Sequence, residues 1–229
     1  MVAQKMSSRQ KNDAMLRTIE AESSFTRGWT GRASMRAEVM GAMRLVAREE
    51  FVPPSLAAMA YDNTPLPIGR GQTISQPFIV ALMTDLLCPE QGDVILEIGC
   101  GSGYQAAILS LLVRRVYTVE IIPSLAKKAR NLLQRLGYNN VEVRQGDGYM
   151  GWPEHAPYDG ILVTAAATHV PPALKEQLKP GGRMIIPVGL PYAAQKLLVL
   201  EKDEKGKFTA RDVLSVSFVP LTREQMTDA

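Results

Sequence analysis

The spacing of apolar positions changes character near Gly92. Before it, Met35, Val39, Met43 and Val46 recur at helical intervals, and Pro53-Pro54 stops whatever continues. A second amphipathic helix is expected from about Gln76 to Leu87, ending before Pro89. Between the two, residues 61–72 carry two prolines and two glycines, which predicts an ordered loop. The first 25 residues are polar, and Met15-Leu16-Arg17-Thr18-Ile19 is too short an apolar run to sustain a helix alone. That stretch is expected to be frayed, with residues 1–30 flexible and 31–90 a helical N-terminal part.

Beyond Gly92, short apolar strands alternate with helix-period segments. The pattern predicts strands at Val94 to Ile98, Arg115 to Glu120, Val141 to Gln145, Gly160 to Thr164 and Arg183 to Val188. Helices are expected at Tyr104 to Leu112, Pro123 to Leu136 and Pro172 to Leu178. This alternation implies an α/β, Rossmann-like, doubly wound and mostly parallel sheet over residues 91–225, covered on both faces. Lys196 to Glu201 and Arg211 to Pro220 have no helix between them. They are expected to form an antiparallel pair on one edge, turning at Asp203-Glu204-Lys205-Gly206.

The 229 residues suit a single domain with a full core, and 46% apolar with 21% charged residues is an ordinary globular composition. Lys and Arg total 26 against 23 Asp and Glu, a net charge of +3. Without a clustered basic stripe that balance argues against a nucleic-acid partner. Cys88 and Cys100 make neither a disulfide framework nor a metal pattern. With no secretory leader pattern and no apolar run of membrane-spanning length, the expectation is a reducing cytoplasm, no membrane partner and no metal.

The chemistry concentrates in Leu96-Glu97-Ile98-Gly99-Cys100-Gly101-Ser102-Gly103-Tyr104. A strand runs into glycines at alternate positions and then into a helix, which is a nucleotide-binding turn. Glu97 at its mouth would repel a diphosphate but hold an ammonium group, and Tyr104 stands where G-x-G-x-x-G has its last glycine. Both features favour S-adenosyl-L-methionine over a dinucleotide. Glu120 ends the second strand, 21 positions after Gly99, the spacing of an acid that accepts from a ribose diol. Asp147, between Gly146 and Gly148 after the third strand, would accept from an adenine amino group. Taken singly, Glu120 also reads as an exposed strand-end acid and Asp147 as a turn-former.

The acceptor is narrowed by what is missing. Val163 to Thr168 lacks the Asn/Asp-Pro-Pro-aromatic segment of amide and adenine methylation, neither cysteine is placed as a nucleophile, and His155 and His169 lie in loops. An acceptor that needs no base fits best. A carboxylate is already ionised at neutral pH, and its attack on a sulfonium methyl cancels charge. Ser75 is positioned to donate to such a carboxylate, and it reads equally well as the N-cap of the helix that follows, with Pro77 in the first turn.

With these residues in view, the chain resembles the protein-L-isoaspartate O-methyltransferase family over about residues 35–225. The likeness is carried by Gln72-Thr73-Ile74-Ser75-Gln76-Pro77, the glycine turn, Gly146-Asp147-Gly148, Ala156-Pro157-Tyr158-Asp159, Leu178-Lys179-Pro180-Gly181-Gly182-Arg183 and Val219-Pro220-Leu221-Thr222. It implies methyl transfer from S-adenosyl-L-methionine, leaving S-adenosyl-L-homocysteine, to the free α-carboxylate of L-isoaspartyl residues in damaged proteins and peptides. Repair then proceeds through a succinimide. It places the signature serine on Ser75, the cofactor contacts on Glu97, Gly99, Gly101, Gly103, Glu120, Ile121, Asp147 and Gly148, and the peptide contacts on Ile74, Ser75, Val188 and Gly189. Ala165-Ala166-Ala167 and Ile186 to Gly189 would give an extended peptide room, or else are plain loop packing. A monomer is expected. The alternatives are a methyltransferase acting on a small molecule or RNA, and a nucleotide-binding module without catalysis.

Overall fold

The computed structural model describes residues 6–191 and 193–223. Its centre is a seven-stranded sheet of order β5-β4-β3-β6-β7-β8-β9. The strands are β3 (Val94–Ile98), β4 (Arg115–Glu120), β5 (Val141–Gln145), β6 (Tyr158–Val163), β7 (Leu178–Val188), β8 (Gln195–Lys202) and β9 (Phe208–Val216). β3 to β7 are parallel, while β8 and β9 run antiparallel to their neighbours, as the missing helix between them predicts.

Alternation along each strand sorts the core into two faces. Ile95, Val116, Leu162 and Ile185 point into one apolar cluster, and Leu96, Val119, Ile161 and Met184 into the other. The first face is deep. It is covered by α1 (Ser8–Thr30), α2 (Ala37–Leu45), α3 (Pro77–Leu87), α4 (Tyr104–Ser110) and α5 (Pro123–Arg135). The second face is thin, closed by α6 (Pro172–Gln177) and short 3-10 turns that bring in Tyr149 and Trp152.

Three expectations change in the N-terminal third. Residues 8–30 are not frayed: they form a single helix, opened by a reciprocal Ser7–Gln10 capping box and closed by Gly31 in the left-handed region at φ 70°. Met15, Leu16 and Ile19 are buried against the first face, and the stripe continues through polar residues that find partners. Asn12 Nδ2 donates to the carbonyl of Arg44 at 2.9 Å, and Ser23 Oγ to that of Arg32 at 3.1 Å. Within the 61–72 loop, β1 (Leu66–Gly69) pairs antiparallel with β2 (Gln72–Ile74), turning at Arg70 and Gly71, both with positive φ. Pro67 is tolerated there because the hairpin stands apart from the main sheet. α3 is also less amphipathic than its sequence suggests, since it is buried on nearly every side. Asp85, fully buried on that helix, anchors the N-terminal segments by pairing with Arg32 Nε at 2.8 Å and accepting from the Arg36 amide at 2.7 Å.

Docking of α1 makes a direct stability prediction. Ile19→Ala, at a fully buried position, is expected to lower unfolding free energy by about 2–5 kcal/mol in urea titration. A frayed segment would show a change near zero.

Candidate active site

Strand order reverses at β3. The chain leaving β3 passes into α4 on the deep face, and the chain leaving β6 passes towards α6 on the thin face, so a crevice opens between the two strand ends. The glycine turn lies there. Gly99 has φ 95°, and a Cβ on it would stand 2.6 Å from Thr164 Oγ1, so the turns after β3 and β6 close only because this residue has no side chain. A Cβ on Gly148 would meet Ile98 Cγ2 at 2.5 Å. The resulting cleft, about 730 Å³ including its mouth, is of the size that accepts a nucleoside-sized ligand.

Glu120 supplies the cleft's charge. Its Oε2 accepts from the Gly101 amide at 2.8 Å and its Oε1 from the Ile122 amide at 2.9 Å, which fixes the carboxylate at the cleft wall. Each oxygen keeps further acceptor capacity for a ligand hydroxyl. Among the described residues Glu120 is the one charged side chain lining the cleft, so a diphosphate finds no cation there while a sulfonium finds a compatible surface.

Glu97 sits differently from a residue at the mouth of the loop. It is fully buried beneath the turn and does not line the cleft. It is paired in register with Thr118 on β4, whose hydroxyl donates to Glu97 Oε2, while Oε1 has no hydrogen-bond partner. Burial pushes its pKa up to about 8, with the Thr118 hydrogen bond opposing and Glu120 adding to the rise. Cys100 lines the cleft, but burial raises its thiol well above the ordinary value, which removes it as a nucleophile.

The remaining expected residues divide. Gly99, Gly101, Ile121, Gly148, Ile74 and Ser75 line the cleft. Gly103 does not; it starts α4 at φ 89° and packs towards Leu133. Asp147 stands one residue behind the wall, its Oδ1 capping the 3-10 turn by accepting from the Tyr149 amide at 2.8 Å. Val188 and Gly189 line neither this cleft nor the one beside it. They are held in a bridge to Ala167, with the Gly189 amide donating to its carbonyl at 2.9 Å. Ala166 and Ala167 are buried in the same packing, so only Ala165 of that run reaches the cleft. His155 stacks on Tyr117 with ring centroids 3.9 Å apart, and His169 packs near Tyr149; neither lines a cleft.

Ser75 does not cap α3. The cap position is Gln76, without a side-chain cap bond, and the Phe78 amide is satisfied from a distance by Asn63 Oδ1 at 2.9 Å. The hydroxyl of Ser75 is therefore left to the cleft wall. Its backbone is gripped by Arg48, a fully buried guanidinium that donates Nη2 to the Ser75 carbonyl and Nε to the Ala60 carbonyl, each at 2.8 Å. Arg48 also lies 4.8 Å from the centroid of the Tyr104 ring. Nothing in the spacing of Arg48-Glu49-Glu50-Phe51 announces a buried cation.

Two further features escaped the sequence reading. The segment beyond β9 leaves the sheet: the Ala166 amide donates to Val219 and the Leu221 amide to Ala166, each at 2.8 Å, and Val219 to Thr222 close one wall. Val219-Pro220-Leu221-Thr222 carried the resemblance but no assigned role. A second, larger cleft, about 1400 Å³ with its mouth, adjoins the first, and Thr73, Ser75, Thr164 and Val219 line both. Ser75 thus stands in a partition between two chambers.

This fold and this pair of clefts define a Rossmann-like methyltransferase. The protein-L-isoaspartate(D-aspartate) O-methyltransferase family model matches residues 29–226. The chain is 58% identical over 208 residues to protein-L-isoaspartate O-methyltransferase 2 of Syntrophobacter fumaroxidans, spanning 91% of this chain and 84% of that one. It is 56% identical over 211 residues to the protein of the same name from a Polaromonas species, spanning 92% and 100%. A solved protein-L-isoaspartate O-methyltransferase superposes with a TM-score of 0.78 at 29% identity, over 92% of this chain and 66% of the longer one. A candidate enzyme of that name from Plasmodium falciparum, solved in complex with S-adenosyl-L-homocysteine, gives 0.75 at 23% identity over 93% and 98%, which supports the fold. The chain belongs to the protein-L-isoaspartate(D-aspartate) O-methyltransferase family.

The raised Glu97 pKa sets a pH dependence. Between the unfolded value of 4.5 and about 8 the native state binds the extra proton, so stability present at low pH is lost as pH rises through that window. Glu97→Gln is expected to flatten this slope, by on the order of a few kcal/mol across the window, in denaturant titrations of the ligand-free protein. An unchanged slope would show that Glu97 is not its source.

Proposed function

We propose that this chain transfers the methyl group of S-adenosyl-L-methionine to the free α-carboxylate of L-isoaspartyl residues in damaged proteins and peptides, which opens their repair through a succinimide. The observation that carries the reading is Ser75, free of any capping role and set in the partition between the two clefts. The smaller cleft takes the cofactor and the larger one the polypeptide.

The lining of the smaller cleft suits the cofactor. Glu120 takes the ribose diol, Gly99, Gly101 and Ile121 lie along the nucleoside, and Gly148 admits the adenine ring with Asp147 behind it. Gly103 sets the turn, and Glu97 lies buried beneath it, held by the Thr118 hydroxyl. When bound, S-adenosyl-L-methionine supplies a methyl group on a sulfonium, which a carboxylate displaces without surrendering a proton. The protein needs no general base, consistent with both histidines being engaged elsewhere. Ser75 holds the carboxylate by donating its hydroxyl, Ile74 and Arg48 fix that serine, and the C-terminal segment keeps water from the partition. Among the described residues no helix is long and apolar enough to cross a membrane, and two free cysteines fit a reducing cytoplasm.

Labelled methyl transfer is expected to an isoaspartyl peptide and not to its aspartyl twin; equal labelling of the pair contradicts the assignment. Ser75→Ala is expected to lower kcat/KM by about ten- to a hundredfold, with cofactor affinity nearly intact. An unchanged rate with a lowered Tm would make the serine merely structural.

A further inference from the structure

The N-terminal helix reaches the polypeptide cleft from outside the region that defines the family. The family match begins at residue 29, yet Glu22 and Thr26 of α1 line the larger cleft. Glu22, Phe25, Thr26 and Trp29 recur at intervals of three and four, so they form one stripe along the helix.

The chemistry of that stripe is specific. Among the described residues Glu22 is the one charged side chain lining the larger cleft. Its partners are neutral amides: Asn63 Nδ2 donates to Oε2 and Gln76 Nε2 lies 3.4 Å from both oxygens, so its charge is not cancelled by a cation. Phe25 and Trp29 are 78% and 63% exposed, with ring centroids 6.2 Å apart in an edge-on pair. Two large aromatic rings left in water beside an uncompensated carboxylate combine the two features that attract an ammonium or guanidinium group. Glu22 and Thr26 of the stripe line the cleft that also contains Ser75, while Phe25 and Trp29 stand in solvent on the same helix face, outside the cleft lining.

We propose that α1 is a specificity element for the substrate polypeptide, selecting segments with a lysine or arginine close in sequence to the isoaspartyl residue. The cation lodges between the Glu22 carboxylate and the Phe25–Trp29 pair while the isoaspartyl carboxylate reaches Ser75. The inference rests on the proposed substrate reading and adds to it a sequence preference that a site built only for backbone contacts would lack.

The test is a set of isoaspartyl peptides of equal length with a single lysine placed at each flanking position in turn, each matched by a glutamate peptide and by a neutral one. At low salt the best lysine peptide is expected to exceed its glutamate partner in kcat/KM by about three- to tenfold, carried mainly by KM. The ratio should shrink in about 0.5 M salt. Glu22→Gln, which keeps an acceptor for Asn63, and Trp29→Ala, at an exposed position that leaves the core intact, are each expected to bring the ratio towards one. A wild-type ratio near one at every position, or a preference that survives both substitutions, overturns the proposal while methylation of the neutral peptide leaves the substrate reading standing. No methylation of any isoaspartyl peptide overturns both.

Discussion

The reversal of strand order at β3 is the constraint on which the site depends. Adjacent parallel strands whose exits turn to opposite faces leave a gap that no backbone fills, and the gap lies where both turns present amides. The turns around it pack this closely only because Gly99 and Gly148 lack side chains, which would collide with Thr164 or Ile98. Glu120 then ties two successive turns together through the amides of Gly101 and Ile122. The acid that awaits a ligand is thereby the same group that stiffens the cleft before any ligand arrives. That arrangement pre-organises the site at little conformational cost on binding.

The second level of organisation is the partition. Thr73 and Ser75 come from the β1–β2 hairpin and the approach to α3, Thr164 from the exit of β6, and Val219 from the segment beyond β9. These elements are distant in sequence, and each is held by an interaction that does not touch the clefts. Arg48 grips the Ser75 carbonyl, Asn63 caps α3 in place of the serine, and Ala166 pins the C-terminal segment. A reaction without a base asks mainly for position, and most of the chain's irregular structure serves position.

Where a strand or helix has one uniform chemical face, the sequence revealed it. β4 and β5 have the boundaries that alternation predicts, and the glycine turn, Glu120 and Ser75 converge as their strand and helix ends require. α1 is illegible because its buried stripe runs through Asn12, Ser23 and Thr30: Asn12 and Ser23 donate to the carbonyls of Arg44 and Arg32, which a helical pattern does not contain, and Thr30 donates back to that of Thr26. Arg48 was hidden for the same reason: a charged residue in a short turn becomes a core residue only when two remote carbonyls are there to receive it. The glycine turn's sequence puts Glu97 at the mouth of the loop, whereas its strand register turns it inward against Thr118. The resemblance implies peptide contacts at Val188 and Gly189, and both stand in the bridge to Ala167, outside the lining of the two clefts.

The central claim is that the cofactor's sulfur faces the partition that holds Ser75. A crystal structure of the protein with S-adenosyl-L-homocysteine tests it most directly. The account predicts the ribose diol on Glu120, the adenine beside Gly148 and the thioether sulfur turned towards Ser75 and the larger cleft. A sulfur turned away from that wall, or a ligand bound outside the smaller cleft, would contradict it.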